Sequence, residues 1–243
     1  MNVTTELKLA AREAGADLVG VADLAPFRES GSLLPPDAFE RFRNAVAVAV
    51  RLDDAIIDGI QSAPTPAYAE HYRRVNRALD RITGQVARWV SARGFSAYAV
   101  PASETLDKAN HLGGISHKAV ARLAGIGWQG KSLLIVSPRF GPRIRLSTLL
   151  TNMPLMVDKP LKNRCGSCGA CATACPAAAI KNVRTLDRYS SRDDALHFNR
   201  CVEQTGRFKA EPDIGARICG VCVSVCPFGK PNRSAGARFF PGS

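Results

Sequence analysis

The residues best suited to chemistry in this 243-residue chain are its eight cysteines, none of which occurs before position 165. Cys165, Cys168, Cys171 and Cys175 follow the spacing C-x2-C-x2-C-x3-C, and Pro176 comes directly after the last of them. Thiolates at that spacing wrap three corners of an iron–sulfur cubane, while the cysteine before proline turns to a second cluster. Cys201, Cys219, Cys222 and Cys226, the last followed by Pro227, repeat the device with the first cysteine displaced upstream. The crossed rule therefore assigns Cys165, Cys168, Cys171 and Cys226 to one 4Fe-4S cluster, and Cys201, Cys219, Cys222 and Cys175 to the other. Zinc is the competing reading, since paired CxxC knuckles also make four-cysteine sites. Zinc ribbons use two cysteines per knuckle, however, and here each run carries an extra Cys and a Cys-Pro. A radical S-adenosylmethionine loop needs CxxxCxxC with one iron left open, whereas both sets here close with four ligands. Closed clusters pass electrons. Small residues beside the thiols (Gly166, Gly169, Ala170, Ala172, Ala174) let backbone N–H groups approach the sulfurs and tune the potential.

Composition sets the bounds. A chain that is 46% hydrophobic buries a core and is not disordered. Its longest apolar stretches, such as residues 146–157, fall short of the roughly 20 residues of a membrane span. The first sixteen residues alternate charged and apolar types with no continuous hydrophobic run, so neither a secretory leader nor a lipid anchor is expected. A cytoplasmic protein with reduced thiols is the expectation. The net charge is +12, and residues 161–243 carry +7 of it (13 basic against 6 acidic). Two oxidised clusters with their thiolates would contribute about −2 each, so part of this excess is local compensation. The remainder suits an acidic protein partner, a phosphate-bearing cofactor or a nucleic acid.

The elements that must position the cysteines read as an α/β pattern. Residues 4–14 have helical spacing, 16–22 and 44–51 read as buried strands, and 66–92 carry the stripe of a long helix, with Tyr68, His71 and Tyr72 on one face. A strand is expected at 96–100 and a helix at 116–123, which runs into the glycine-rich AGIGWQGKS at 124–132. Residues 133–138 and 143–151 read as a hairpin closed by 139–142. The stretches 26–36 and 229–243, rich in Pro, Gly and Ser, read as loop and loosely ordered tail. Two domains are expected: 1–160, an α/β unit, and 161–243, the cluster unit.

The order GADLVGVAD (15–23), AGIGWQGKSLLI (124–135), a Thr-containing strand and two crossed cysteine runs resembles epoxyqueuosine reductase and its relatives over nearly the whole chain. Reductive dehalogenases are similar in plan. The resemblance implies an α/β (α+β) fold, a nitroreductase-like domain followed by a ferredoxin-like double 4Fe-4S domain. It also implies a cobalamin, with a flavin as the alternative cofactor, near Gly125, Gly127, Trp128, Gly130, Lys131, Ser132 and Arg143. Each has a plainer reading: Lys131 as a solvated turn residue, Trp128 as core, and Arg139, Arg143 and Arg145 as an exposed strand face. Two departures stand out. The C-terminal helical-repeat region with which the tRNA-acting members hold tRNA is not in this sequence. The family's acidic proton donor, in Asp-x-x-Pro, would fall at His111 and its proline at Gly114, within HLGGISHK (111–118). His111 or His117 is then the expected acid, or simply a residue that caps or packs.

Three functions follow as expectations. The first is a reductase that draws electrons from a low-potential donor such as ferredoxin or flavodoxin and acts on a small substrate through a corrinoid. The second is a carrier or activator that reduces a partner's cofactor, for instance on a corrinoid protein, with no substrate of its own. The third is a nucleic-acid-acting reductase, which the missing region disfavours. No membrane partner is expected.

Overall fold

The computed structural model describes residues 2–28, 33–35 and 37–230. The expected tail from 231 onward and residues 29–32 and 36 of the 26–36 loop lie outside the described residues. The elements, in chain order, are α1 (Val3–Glu13), β1 (Leu18–Asp23), a 3-10 turn (Ala25–Phe27), α2 (Ala38–Arg41), β2 (Asn44–Arg51), α3 (Asp54–Asp58), α4 (Pro66–Ser91), β3 (Ala97–Val100), α5 (His117–Leu123), β4 (Trp128–Gln129), β5 (Ile135–Val136), β6 (Ile144–Thr151), α6 (Ala170–Thr173), α7 (Arg192–Ala195), α8 (Phe198–Ala210) and α9 (Val221–Ser224). The class is mixed α/β. The chain divides into two compact units: residues 1–51, 73–127 and 145–161 form the first, and 52–72, 128–144 and 162–243 the second. In place of a single cut at 160, two earlier segments go with the cysteine region.

The first unit is built on a four-stranded sheet of order β1-β2-β6-β3. β1 runs antiparallel to β2 with Leu18 opposite Ala49 and Asp23 opposite Asn44, and β3 runs antiparallel to β6 with Ala97 opposite Thr151. Ala45 to Ala49 of β2 are wholly buried, as an interior strand covered on both faces requires. α1 starts at Asn2, whose side chain accepts from Thr5 N, and α5 at Ser116, which accepts from Ala119 N. In α4, Val75, Leu79, Ile82, Val86 and Val90 form the buried stripe. α5 packs on β1 and β2, and its cap residue Ala124 places a carbonyl directly on Gly20, where any Cβ would overlap it. The two glycine-containing segments of the family resemblance meet at that point. Among the described residues no helix is long and apolar enough to cross a membrane.

The expected hairpin of 133–138 with 143–151 does not form. Ile135 and Val136 pair backward instead, with Gln129 and Trp128, while β6 lies between β2 and β3. Thr148, Leu149, Leu150 and Thr151 are all fully buried, and an eight-residue strand enclosed on both edges needs long partners for its backbone groups. A two-residue strand cannot supply them. Gly141, at φ +56, exchanges both backbone hydrogen bonds with Ser137 and closes the loop after β5.

Candidate cluster site and histidine loop

The second unit gathers all eight thiols, each free of a disulfide. α6 and α9 are single turns that pack against each other. Cys171 lies in α6 and Cys222 in α9; Cys165, Cys168 and Cys219 precede these turns, Cys175 and Cys226 follow them, and Cys201 is in α8. The α9 turn begins at Gly220, with φ +85, where a Cβ would press on Ile60 and Tyr68 of the same unit.

Mutual electrostatic influence sorts the sulfurs. Cys226 is acted on by Cys165, Cys171 and Cys168, while Cys219 is acted on by Cys201 and Cys175. Cys222 is acted on by Cys171 of the first run as well as by Cys219, Cys201 and Cys175, so the two sets adjoin and each Cys-Pro cysteine is within electrostatic reach of the other run. Burial first, and then these neighbours, push Cys171 up to about 11 and Cys226 up to about 12, with Cys222 raised further. Such thiols ionise only when a metal takes the proton's place. Among the described residues no three Cys, His, Asp or Glu side chains converge as the ligands of one ion would. Thiols that each hold a separate iron stand further apart than that.

A layer of polar residues fixes the first run, and most of it gave no signal in the sequence. Asn163 accepts from Cys165 N at 2.9 Å and donates to the Gln129 carbonyl at 2.7 Å. The Gln129 side chain accepts from Tyr189 N, and the Tyr189 hydroxyl donates to the Val183 carbonyl. Tyr189 packs with Leu133, Ala195 and Leu196, and burial and then the thiols of Cys165 and Cys171 raise its phenol. A Cβ on Gly130 would lie 2.9 Å from Val136 Cγ2 and 3.6 Å from Cys165 Sγ, so that backbone approaches the sulfur closely. Asn163, Gln129 and Tyr189 are ordinary polar residues whose role exists only through what they touch.

The residues singled out for an organic cofactor are otherwise engaged. Lys131 is 5% exposed and donates to the Cys168 carbonyl and to Asn182, so it is not the solvated turn residue of the plainer reading. Arg143 is fully buried and donates to Asp54 and Asp58, which corrects the expectation of an exposed strand face. Burial works against its charge, and the hydrogen bonds it donates to Asp58 and Asp54 more than restore it. Trp128 is core, edge-on to Phe228 at 4.9 Å, with its indole N–H unpartnered. A Cβ on Gly125 would meet the Lys159 carbonyl at 2.7 Å, so that glycine answers the chain's own backbone. Gly127 is buried and Ser132 is partly exposed. Lys131, Arg143, Trp128 and Gly125 are thus committed to contacts within the chain.

In the first unit, residues 101–117 form the loop that contains both histidines. His111 has a left-handed backbone, φ +54, in the turn closed by the Asp107–Leu112 bridge. His117 starts α5, with Nδ1 2.8 Å from Thr148 Oγ1 and Nε2 3.1 Å from the Pro101 carbonyl. A carbonyl only accepts, so Nε2 carries the proton and Nδ1 takes the threonine hydroxyl. Burial lowers its pKa against the opposing pull of Pro101 and Asp80, with Arg145 adding to the lowering. The ring is neutral with both nitrogens occupied, which suits a positioning residue better than an acid. Beside this loop is a groove of about 340 Å³ lined by Leu33, Tyr98, Val100, Leu106 and Gly114, with Glu104 as its carboxylate.

The second unit is of the iron–sulfur class: residues 164–229 match the 4Fe-4S double cluster binding domain. The chain is similar to epoxyqueuosine reductases and to reductive dehalogenases. It is 36% identical to epoxyqueuosine reductase of Bacillus cereus over 126 residues, which cover 49% of this chain and 30% of that protein. It is 27% identical to the tetrachloroethene reductive dehalogenase of Sulfurospirillum multivorans over 277 residues, covering 96% of this chain and 51% of the relative. A solved reductive dehalogenase, described as acting by B12-dependent dehalogenation, shares the fold at TM-score 0.72 and 20% identity, covering 93% of this chain and 31% of that one. The chain thus spans about a third to a half of the length of these proteins.

Proposed function

We propose that this chain is an iron–sulfur reductase that accepts electrons singly from a low-potential donor such as ferredoxin or flavodoxin. In this reading Cys165, Cys168, Cys171 and Cys226 hold one 4Fe-4S cluster, and Cys201, Cys219, Cys222 and Cys175 the other. The observation that carries it is the pair of cysteine runs, each ending in Cys-Pro, on a segment that matches a double-cluster domain, with α6 and α9 of the two runs packed together. When bound, the clusters supply one-electron storage. The protein supplies the eight thiols, seven of them partly shielded from solvent, and a close backbone at Gly130.

Likeness to a B12-dependent dehalogenase supports a corrinoid as the final reductant. No residue of this chain is assigned to it, because Lys131, Arg143 and Gly125 are engaged within the chain and Trp128 is core. The groove beside residues 101–117, apolar on Leu33, Val100 and Leu106 and polar at Glu104, suits a small substrate of mixed polarity. His117 is committed to Thr148 and Pro101, which leaves His111 of the same loop as the candidate proton donor. The deciding experiment is anaerobic reconstitution with iron and sulfide counted, followed by titration with cob(II)alamin under EPR. About eight irons and a perturbed cobalt signal are expected. Bound zinc without sulfide would overturn the cluster reading. An unperturbed cobalt signal would overturn the corrinoid and leave an electron carrier or a flavin enzyme.

A nucleic-acid substrate is the second reading, favoured by the +12 charge and the likeness to epoxyqueuosine reductases. It requires tRNA binding that weakens steeply with salt, since phosphate contacts release counterions.

A further inference from the structure

Lys131 is 5% exposed, and its ammonium donates at 2.9 Å to the carbonyl of Cys168 and at 2.9 Å to Asn182 Oδ1. Both acceptors are neutral, and among the described residues Lys131 makes no ion pair. A buried ammonium without a counter-charge is strongly disfavoured, and the usual outcome is pairing or loss of the proton. The missing negative charge is close by. Cys168 is itself a proposed ligand, and the preceding residue, Gly130, brings its backbone to Cys165. The acceptor Asn182 sits at φ +60 and packs over Gly169, where a Cβ would come within 3.2 Å of its side-chain nitrogen. Lys131, Asn182 and the Cys168–Gly169 backbone therefore make one fixed assembly against the first cysteine run.

We infer that Lys131 is the buried counter-ion of the cluster held by Cys165, Cys168, Cys171 and Cys226, and that its charge sets that cluster's reduction potential. The inference rests on the proposed cluster assignment and adds to it a residue that is neither a ligand nor a contact to an organic cofactor. A 4Fe-4S centre with four thiolates carries about −2 when oxidised, and one-electron reduction adds a further negative charge with no bond made or broken. A fixed cation at the sulfur shell favours the reduced state, so it raises the potential. The hydrogen bonds of Lys131 go to Cys168, a ligand of the first set, and to Asn182, and none of them goes to Cys201, Cys219, Cys222 or Cys175. Only the first cluster should therefore respond to Lys131.

The test is an EPR-monitored redox titration of the full chain, reconstituted anaerobically, as wild type, Lys131→Gln, Lys131→Arg and Asn182→Asp. Lys131→Gln is expected to lower the reduction equilibrium of one cluster at least tenfold, 59 mV for one electron, and to leave the other cluster in place. Lys131→Arg keeps the charge and should restore most of the potential. Asn182→Asp sets a carboxylate against the ammonium and should lower the same cluster with Lys131 still present, so it decides the matter if Lys131→Gln fails to assemble. Two unmoved potentials in variants holding about eight irons would overturn the inference. A wild type without iron and sulfide would instead overturn the cluster assignment on which it rests.

Discussion

Arg143 is wholly buried and donates to the carboxylate of Asp58, 85 residues earlier in the chain, while its other terminal nitrogen reaches Asp54 at 3.0 Å. The Arg143 hydrogen bond holds the Asp58 carboxyl below the usual carboxylate range. Losing one partner of a fully buried pair costs about 3 to 5 kcal/mol, and half of the Asp58 side chain is exposed, so Arg143→Leu is expected to cost about 2 to 3 kcal/mol. The Asp54→Asn, Asp58→Asn double variant strands the buried guanidinium and should cost more. The lowered Asp58 pKa adds stability that is present above the unfolded value of about 3.9 and lost as pH falls through the folded value. Urea midpoints at pH 7 and in acid should show that loss in the wild type and a smaller one in Arg143→Leu.

Exchange of the Cys-Pro cysteines predicts which cluster each variant loses. Cys175→Ser should damage the cluster of Cys201, Cys219 and Cys222, and Cys226→Ser that of Cys165, Cys168 and Cys171. Each variant should retain about four of eight irons. Iron counts with EPR on the two variants and on Cys201→Ser check this: Cys175→Ser should match Cys201→Ser, not Cys165→Ser.

His117 joins the start of α5 to β6 through Thr148, which is itself fully buried. Replacing His117 by Ala leaves that hydroxyl and the Pro101 carbonyl short of a partner, a cost of about 1 to 3 kcal/mol. Its folded pKa is lowered by burial, so protonation favours the unfolded chain. The stability due to the neutral ring is complete above the unfolded value of about 6.5 and falls as pH drops from there toward the folded value. Unfolding midpoints between pH 8 and 5 should decline in the wild type and decline less in His117→Gln.

Gly141 combines a positive φ with the backbone of Phe228, against which a Cβ would overlap. Gly141→Ala should therefore cost about 2 to 4 kcal/mol, from left-handed strain and from the displaced segment after Cys226. The measurement is thermal unfolding together with iron content. Stability lost with all irons retained would show that the segment moves without disturbing Cys226.

Sequence alone determined the elements whose signals are local. The run Asn44–Arg51 is a strand because alternating Ala and Val suit a sheet covered on both faces. The stripe from Val75 to Val90 is a helix because apolar residues recur every three or four positions. Cysteine spacing identified the cluster segment, since ligand geometry acts over a few residues. What only the tertiary structure decided depends on partners distant in the chain. Ile144–Thr151 pairs with β3 rather than with its neighbour, because burial on both edges outweighs proximity. Arg143 is sequestered by Asp54 and Asp58 where its alternation with Arg139 and Arg145 suggested an exposed face. Lys131 reads as a turn residue until Cys168 and Asn182, 37 and 51 positions later, fold over it. The fate of a charged side chain is set by whether the folded chain brings it a counter-charge or leaves it in water, and spacing along one segment does not contain that information.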